Sequence, residues 1–338
     1  MVRRLCLMML LCFAAMLSGS ASLAQSRPAQ RIIAVGDLHG DFSAWSDVAR
    51  AAGLVSAKGG WAGGNTIFVQ LGDVPDRGPD SLKIIRQLMR LQREAPRKGG
   101  RVIALVGNHE AMNMTRDLRY VDPGEYAAFT DRKSAARRDK VFADNRASIV
   151  AQYRAADPKL SDAAARELWL KDKPLGWVEH ELAWRPTGEI GRWVIRNPAV
   201  ALVSGNLFVH GGIGTEYAKL PLAEINRQVA AALTSRDESE TAIINNPLGP
   251  LWYRGLVERA PGDIRPPMEQ ELSATLTVYG AKRIVVAHTP LLSGIAILHG
   301  GTLVRVDSCL SRHYGGQVSY LEIIGDQLIP HAVPRSGG

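Results

Sequence analysis

Ile32-Ile33-Ala34-Val35-Gly36-Asp37-Leu38-His39-Gly40-Asp41 is the stretch on which the fold turns. Its four leading apolar residues predict a strand buried on both faces. Gly36 and Gly40 permit a tight turn at its end. Asp37 and His39 stand two positions apart, so on an extended backbone both point the same way. A carboxylate and an imidazole so placed can hold one metal ion. The pattern recurs down the chain. Thr66–Leu71 runs into Gly72-Asp73-Val74-Pro75-Asp76-Arg77-Gly78, and Val102–Val106 into Gly107-Asn108-His109-Glu110. Leu207–Val209 runs into His210-Gly211-Gly212, and Ile284–Ala287 into His288-Thr289-Pro290. Open α/β sheets bind ligands beyond the carboxyl ends of their strands. One polar site where five strand ends converge is therefore expected.

Between these runs, helical spacing predicts helices over Phe42–Leu54, over Ser81–Glu94 with Asp80 as N-cap, and over 221–233 and 267–279. The order βαβαβ implies a mostly parallel sheet. From about 111 to 198 charge density rises and apolar runs thin out. This segment reads as a helical insertion, with helices over 143–153 and 161–170 and one strand over 193–196. It either walls the site or stands apart from it. Residues 199–210 read as strand, and 249–255 as a compact loop joining Trp252-Tyr253 to Arg254. Residues 295–298, 302–306, 317–324 and 327–333 read as an antiparallel meander, with Gly325-Asp326 as a hairpin turn.

Residues 1–24 form a separate object. Arg3 and Arg4, the apolar run Leu5–Leu17 and the small residues of Ser22-Leu23-Ala24 fit a cleavable signal peptide. The expected location is outside the cytoplasm, periplasmic or secreted, with no stable membrane anchor after cleavage. Cys6 and Cys12 leave with this leader, so Cys309 has no partner for an intramolecular disulfide. Removing Arg3 and Arg4 lowers the net charge from +8 to +6. That mild excess suits an anionic substrate. No dense basic stripe interleaved with aromatics points to nucleic acid.

The candidate ligands are Asp37, His39, Asp73, Asn108, His210 and His288. A mixed nitrogen and oxygen set without thiolate suits Zn, Fe or Mn. Six ligands exceed what one catalytic metal with an open position needs. They suit two metals sharing a carboxylate, with Asp73 as the natural bridge, and such a pair clamps a phosphoryl displacement. Asn108 and His109 are neighbours at a strand-to-loop edge and point different ways. One can bind metal while the other faces the substrate. His109 is the candidate general acid, with Asp76 as its orienting partner. Arg77 can grip phosphate oxygens bidentately.

The motifs Gly36–Gly40, Gly72–Gly78 and Gly107–Glu110 resemble the three signatures of the calcineurin-like metallophosphoesterases. Their Asp-Arg-Gly and Asn-His-Glu forms resemble the phosphoprotein phosphatase branch. With the leader, the insertion and Ala287-His288-Thr289-Pro290, the chain looks most like the bacterial Shewanella-like phosphatases. The resemblance implies an α/β fold, a metallophosphoesterase β-sandwich flanked by helices, over residues 25–338. It implies one metal at Asp37, His39 and Asp73, and another at Asp73, Asn108, His210 and His288. It also implies His109 with Asp76 as the acid pair, Arg77, Arg254 and Asn108 at the substrate, and Glu110 as a support of the loop.

The expected function is an exported, dimetal phosphomonoesterase acting on phosphoprotein or a small phosphomonoester. A metal-bridging hydroxide would be the nucleophile and His109 the general acid. Hydrolysis of a nucleotide or dinucleoside polyphosphate on the same fold is the alternative, followed by a non-catalytic metal-binding scaffold. Cys309 is not placed as a nucleophile, because the arginine that cysteine phosphatases need six positions on is replaced by Gly315.

Overall fold

The computed structural model describes residues 29–336, so the expected signal peptide lies outside the described residues. Ten strands form two five-stranded sheets. The first runs β10-β9-β1-β2-β3, with β1 at Arg31–Val35, β2 at Ile67–Gln70, β3 at Arg101–Ala104, β9 at Ser319–Ile324 and β10 at Gln327–Ala332. The second runs β4-β5-β6-β8-β7, with β4 at Val200–Val203, β5 at Asn206–Val209, β6 at Arg283–Val286, β7 at Ala296–Leu298 and β8 at Leu303–Arg305. The triplets β1-β2-β3 and β5-β6-β8 are parallel, which aligns six carboxyl ends at one edge.

The two-residue strand period explains the layering. Ile32, Ala34, Val69 and Ile103 of the first sheet meet Phe208, Val285 and Val304 of the second in one buried cluster. The alternate residues Ile33, Val35, Phe68, Leu207, Val209 and Val286 belong to a second cluster with helix residues such as Trp45, Leu88 and Leu276. Sheet on sheet with helices outside is the expected sandwich.

Helices α1 (Phe42–Ala51) and α2 (Ser81–Glu94) cross over in the first half. Asp41 caps α1 by accepting Ala44 N–H at 2.9 Å. Asp80 is the N-cap residue of α2, as expected, although its side chain makes no capping bond. Helix α3 (Asn108–Met114) opens the insertion, followed by α4 (Pro123–Ala128), α5 (Ser134–Asp144), α6 (Arg146–Ala156), α7 (Asp162–Asp172), α8 (Trp177–Trp184) and α9 (Glu189–Arg196). Helices α10 (Leu222–Ser235) and α11 (Met268–Tyr279) flank the second sheet.

Four expectations are corrected. Residues 193–196 are helical, because Ile190, Trp193 and Val194 share one buried helix face, a spacing that a four-residue window hides. Residues 199–210 are two strands, because Ser204 and Gly205 both take positive φ (49° and 79°), the geometry of a tight hairpin turn. Residues 295–333 are not one meander. β7 and β8 join the second sheet, where β8 runs parallel to β6, and β9 and β10 return to the first beside β1. The expected helix over 143–153 also breaks at Asn145.

Candidate active site

The parallel strands deliver Asp37, His39, Asp73, Asn108, His109, His210 and His288 to one edge. Most of these side chains line a single cleft of about 330 Å³. The turns that carry them interlock. Leu38 and His39 N–H both donate to Asp73 C=O, at 2.9 and 3.0 Å. Gly40 (φ +63°) lies against Gly78, and a Cβ on either would collide with the other's backbone. A Cβ at Gly107 would likewise strike Asp73. His39, Asp73, Asp76, Arg77 and His288 all hold positive φ, a region side-chain-bearing residues enter at a cost of about 1–3 kcal/mol each. Glu110 is the brace its motif suggested. Its carboxyl accepts N–H groups from Asp73 (2.9 Å), Val74 (2.8 Å) and Gly107 (2.8 Å), tying the second turn to the third.

Two imidazoles are set up as ligands. His39 Nδ1 donates to Pro75 C=O at 3.2 Å and His210 Nδ1 to Leu71 C=O at 2.8 Å. This fixes each ring and turns Nε2 inward, as ligating histidines require. His210 Nε2 lies 3.0 Å from Asn108 Oδ1 and 3.3 Å from Asp73 Oδ2. His39 Nε2 lies 3.7 Å from Asp37 Oδ2. His288 Nε2 is buried and finds no hydrogen-bond partner among the described residues. In two groups, His39 with Asp73 and His109, and Asp73 with His210 and His288, the ligand atoms lie within 4.8 Å of one another.

The electrostatics suit a cation. Burial, and then the charges of Asp307 and Asp73, push the Asp37 carboxyl well above the usual range. Burial opposes ionisation of Asp73, but the imidazoles of His210 and His109 prevail and hold it well below that range. Burial, followed by a neighbouring imidazole, holds His39 and His288 well below the ordinary value, so both rings keep a free lone pair. Crowded buried acids beside the neutral imidazoles of His39 and His288 form a donor set that a divalent ion would relieve. The residues present therefore fit the metals expected of the site.

His109 is arranged differently. Its Nδ1 meets Asp76 Oδ2 at 2.5 Å, while Asp76 Oδ1 accepts from Asn113 Nδ2 at 2.9 Å. Its Nε2 faces Arg77 Nη2 at 3.2 Å. Burial works against an imidazolium here, but the Asp73 charge and the Asp76 bond outweigh it and raise His109 above the ordinary imidazole value. The guanidinium of Arg77 lies between the rings of Tyr120 (5.0 Å) and Tyr314 (4.9 Å). Arg254 lines the same cleft, with Nη1 donating to His288 C=O at 2.8 Å.

All ten expected site residues thus gather at this edge. The sequence reading missed Asp307, which is buried beside Asp37 with Oδ2 unpartnered among the described residues. Its signal was present, since Leu303–Arg305 leads through Val306 into a carboxylate just as β1 and β2 do. Tyr120 and Tyr314 carry no such signal, because only the folded chain brings them to Arg77. Cys309 is buried nearby. Burial, then the Asp307 charge, pushes its thiol up to about 12, which disfavours the thiolate. His180, His299, His313 and His331 are absent from the cleft lining.

The calcineurin-like phosphoesterase profile matches residues 30–205, and the chain belongs to that family. It is a metal-dependent hydrolase of phosphoric esters. Within the family it is similar to the Shewanella-like protein phosphatases. Shewanella-like protein phosphatase 2 of Arabidopsis thaliana is 31% identical over 290 residues, 84% of this chain and 72% of that one. An uncharacterized protein of Schizosaccharomyces pombe is 31% identical over 305 residues, covering 86% and 76% of the two chains. The solved cold-active protein-tyrosine phosphatase of a psychrophilic Shewanella shares the fold at a TM-score of 0.64 and 22% identity, covering 90% and 81%.

Proposed function

We propose that this chain is an exported dimetal phosphomonoesterase that dephosphorylates protein. The main support is the buried His109–Asp76 pair standing beside Asp73, with Arg77 at its free nitrogen. Arg77 and Arg254 flank the cleft and grip the phosphoryl oxygens. Ions held by Asp37, His39 and Asp73, and by Asp73, Asn108, His210 and His288, would supply positive charge to the phosphoryl group and acidify water. Asp76 keeps His109 Nδ1 protonated and the ring oriented, so that Nε2 delivers its proton to the leaving oxygen. The nucleophile is water, and no phosphoenzyme forms. Relatives named protein phosphatases, together with Tyr120, Trp252 and Tyr314 at the cleft, support a phosphorylated side chain as substrate. The leader at residues 1–24 supports export.

The test begins with mature protein stripped by chelation and given Mn, Zn or Fe separately. Hydrolysis of p-nitrophenyl phosphate lost on stripping and restored by one ion supports the dimetal reading. Phosphotyrosyl and phosphoseryl peptides are then compared with a dinucleoside polyphosphate. Preference for the polyphosphate replaces the protein phosphatase reading by the nucleotide one.

A further inference from the structure

Asp76 and Arg77 both hold left-handed backbone (φ 73° and 68°), although neither is glycine. Such a pair persists only where its surroundings impose it. The clamp comes from the insertion. Glu125 on α4 is buried, and its Oε1 accepts Asp76 N–H at 2.8 Å. Tyr120 C=O, just before that helix, accepts Arg77 N–H at 2.9 Å. The helix is seated closely, since a Cβ on Gly124 would collide with Pro79. Its start is fixed by Asp122, whose side chain accepts Gly124 N–H at 2.7 Å.

We propose that Glu125 is a positioning residue for the acid pair. By accepting Asp76 N–H it fixes the backbone that points Asp76 at His109 Nδ1 and carries Arg77 into the cleft. Burial, with the Asp76 charge behind it, pushes the Glu125 carboxyl well above the usual range. What Asp76 N–H requires of this side chain is an oxygen acceptor, and glutamine also supplies one. The catalytic meaning rests on His109 acting as the acid of a phosphomonoesterase, but the geometric claim stands without it.

The experiment compares full-length mature wild type with Glu125→Met, which fills the volume without an acceptor, Glu125→Ala and Glu125→Gln. His109→Asn serves as reference. Each is loaded with metal and its metal content measured. Glu125→Met and Glu125→Ala lower kcat on an alkyl phosphate by roughly 10- to 100-fold, the scale on which small misplacements act. They lower it less on p-nitrophenyl phosphate, whose leaving group needs little acid. Metal content stays at the wild-type level, and Glu125→Gln recovers most of the rate. In parallel, proton NMR follows the downfield His109 Nδ1–H resonance, identified by its absence in His109→Asn. It stays in Glu125→Gln and shifts or vanishes in the other two. Equal losses on both phosphates together with lost metal overturn the proposal in favour of general support, as does an unmoved resonance in folded Glu125→Met. If wild type hydrolyses neither monoester, the phosphomonoesterase reading falls and the resonance alone decides the role of Glu125.

Discussion

Residues 108–128 and residues 134–172 are both short helices in one insertion, but the first buries a set of polar side chains and the second pairs its charges at the surface. In the first stretch Asn108, His109, Glu110, Asn113 and Glu125 are each at most 2% exposed. Each is tied to a backbone group or to another buried side chain. In the second, Arg146–Asp162, Arg154–Asp162, Arg166–Asp139 and Lys140–Asp144 pair across exposed surface. A separate small core of Phe142, Ile149, Val150, Ala165 and Trp169 lies beneath them. Breaking a buried polar contact strands its partner, whereas a surface pair returns to water. The near half of the insertion should therefore be intolerant and coupled to chemistry, and the far half tolerant and independent of it.

The largest effect tests the floor that the near half leans on. Asp73→Asn should lose metal and activity together, by roughly 10³-fold or more, read by metal analysis and steady-state rates. His109→Asn should lower kcat on an alkyl phosphate by roughly 10²–10⁴ while metal content holds. Unchanged turnover there would remove the acid role. On the far side, Trp169→Ala should cost the small core about 3–5 kcal/mol. It should speed amide exchange over 134–172 and leave kcat within about twofold. A large fall in kcat would break the comparison.

His180 tests the seam. It lies on α8, packed against Tyr126 of the near half and Phe129 just beyond it, at centroid distances of 5.1 and 5.3 Å. Neither ring nitrogen finds a partner among the described residues, and burial lowers it from 6.5 to about 3. The unfolded chain then binds the extra proton between these values. The stability due to neutral His180 is full above about pH 6.5 and is lost as pH falls toward about 3, by up to a few kcal/mol. Urea titrations at pH 7.5 and 4.5 should show a smaller difference in His180→Leu than in wild type. The smallest effect belongs to Arg166→Ala, which should leave the melting temperature unchanged within error.

Much of the site was legible because its chemistry sits at a repeated address. Asp37, Asp73, Asn108, His210 and His288 each follow an apolar run, and a parallel strand has only one end where such residues can meet. Asp307 obeys the same rule less visibly, because the charged Arg305 interrupts the apolar run before it. The insertion was harder to read. The Trp193 run looked like a strand because four apolar residues carry no period, and only burial of Ile190, Trp193 and Val194 on one face makes it a helix. The return of β9 and β10 to β1 was invisible because hairpin patterns do not say which sheet they join.

The sequence alone determined the family and nominated the candidate strand-end ligands and the candidate acid pair. Those depend on local spacing and residue chemistry, which survive in a linear string. Tertiary structure decided that the insertion is two objects, that Tyr120 and Tyr314 enclose Arg77, and that Glu125 holds Asp76 in place. Each of these is a contact between groups distant along the chain, set by close packing of loops whose backbone is held at positive φ. No periodicity records such a contact, because its energy exists only once both partners are buried together.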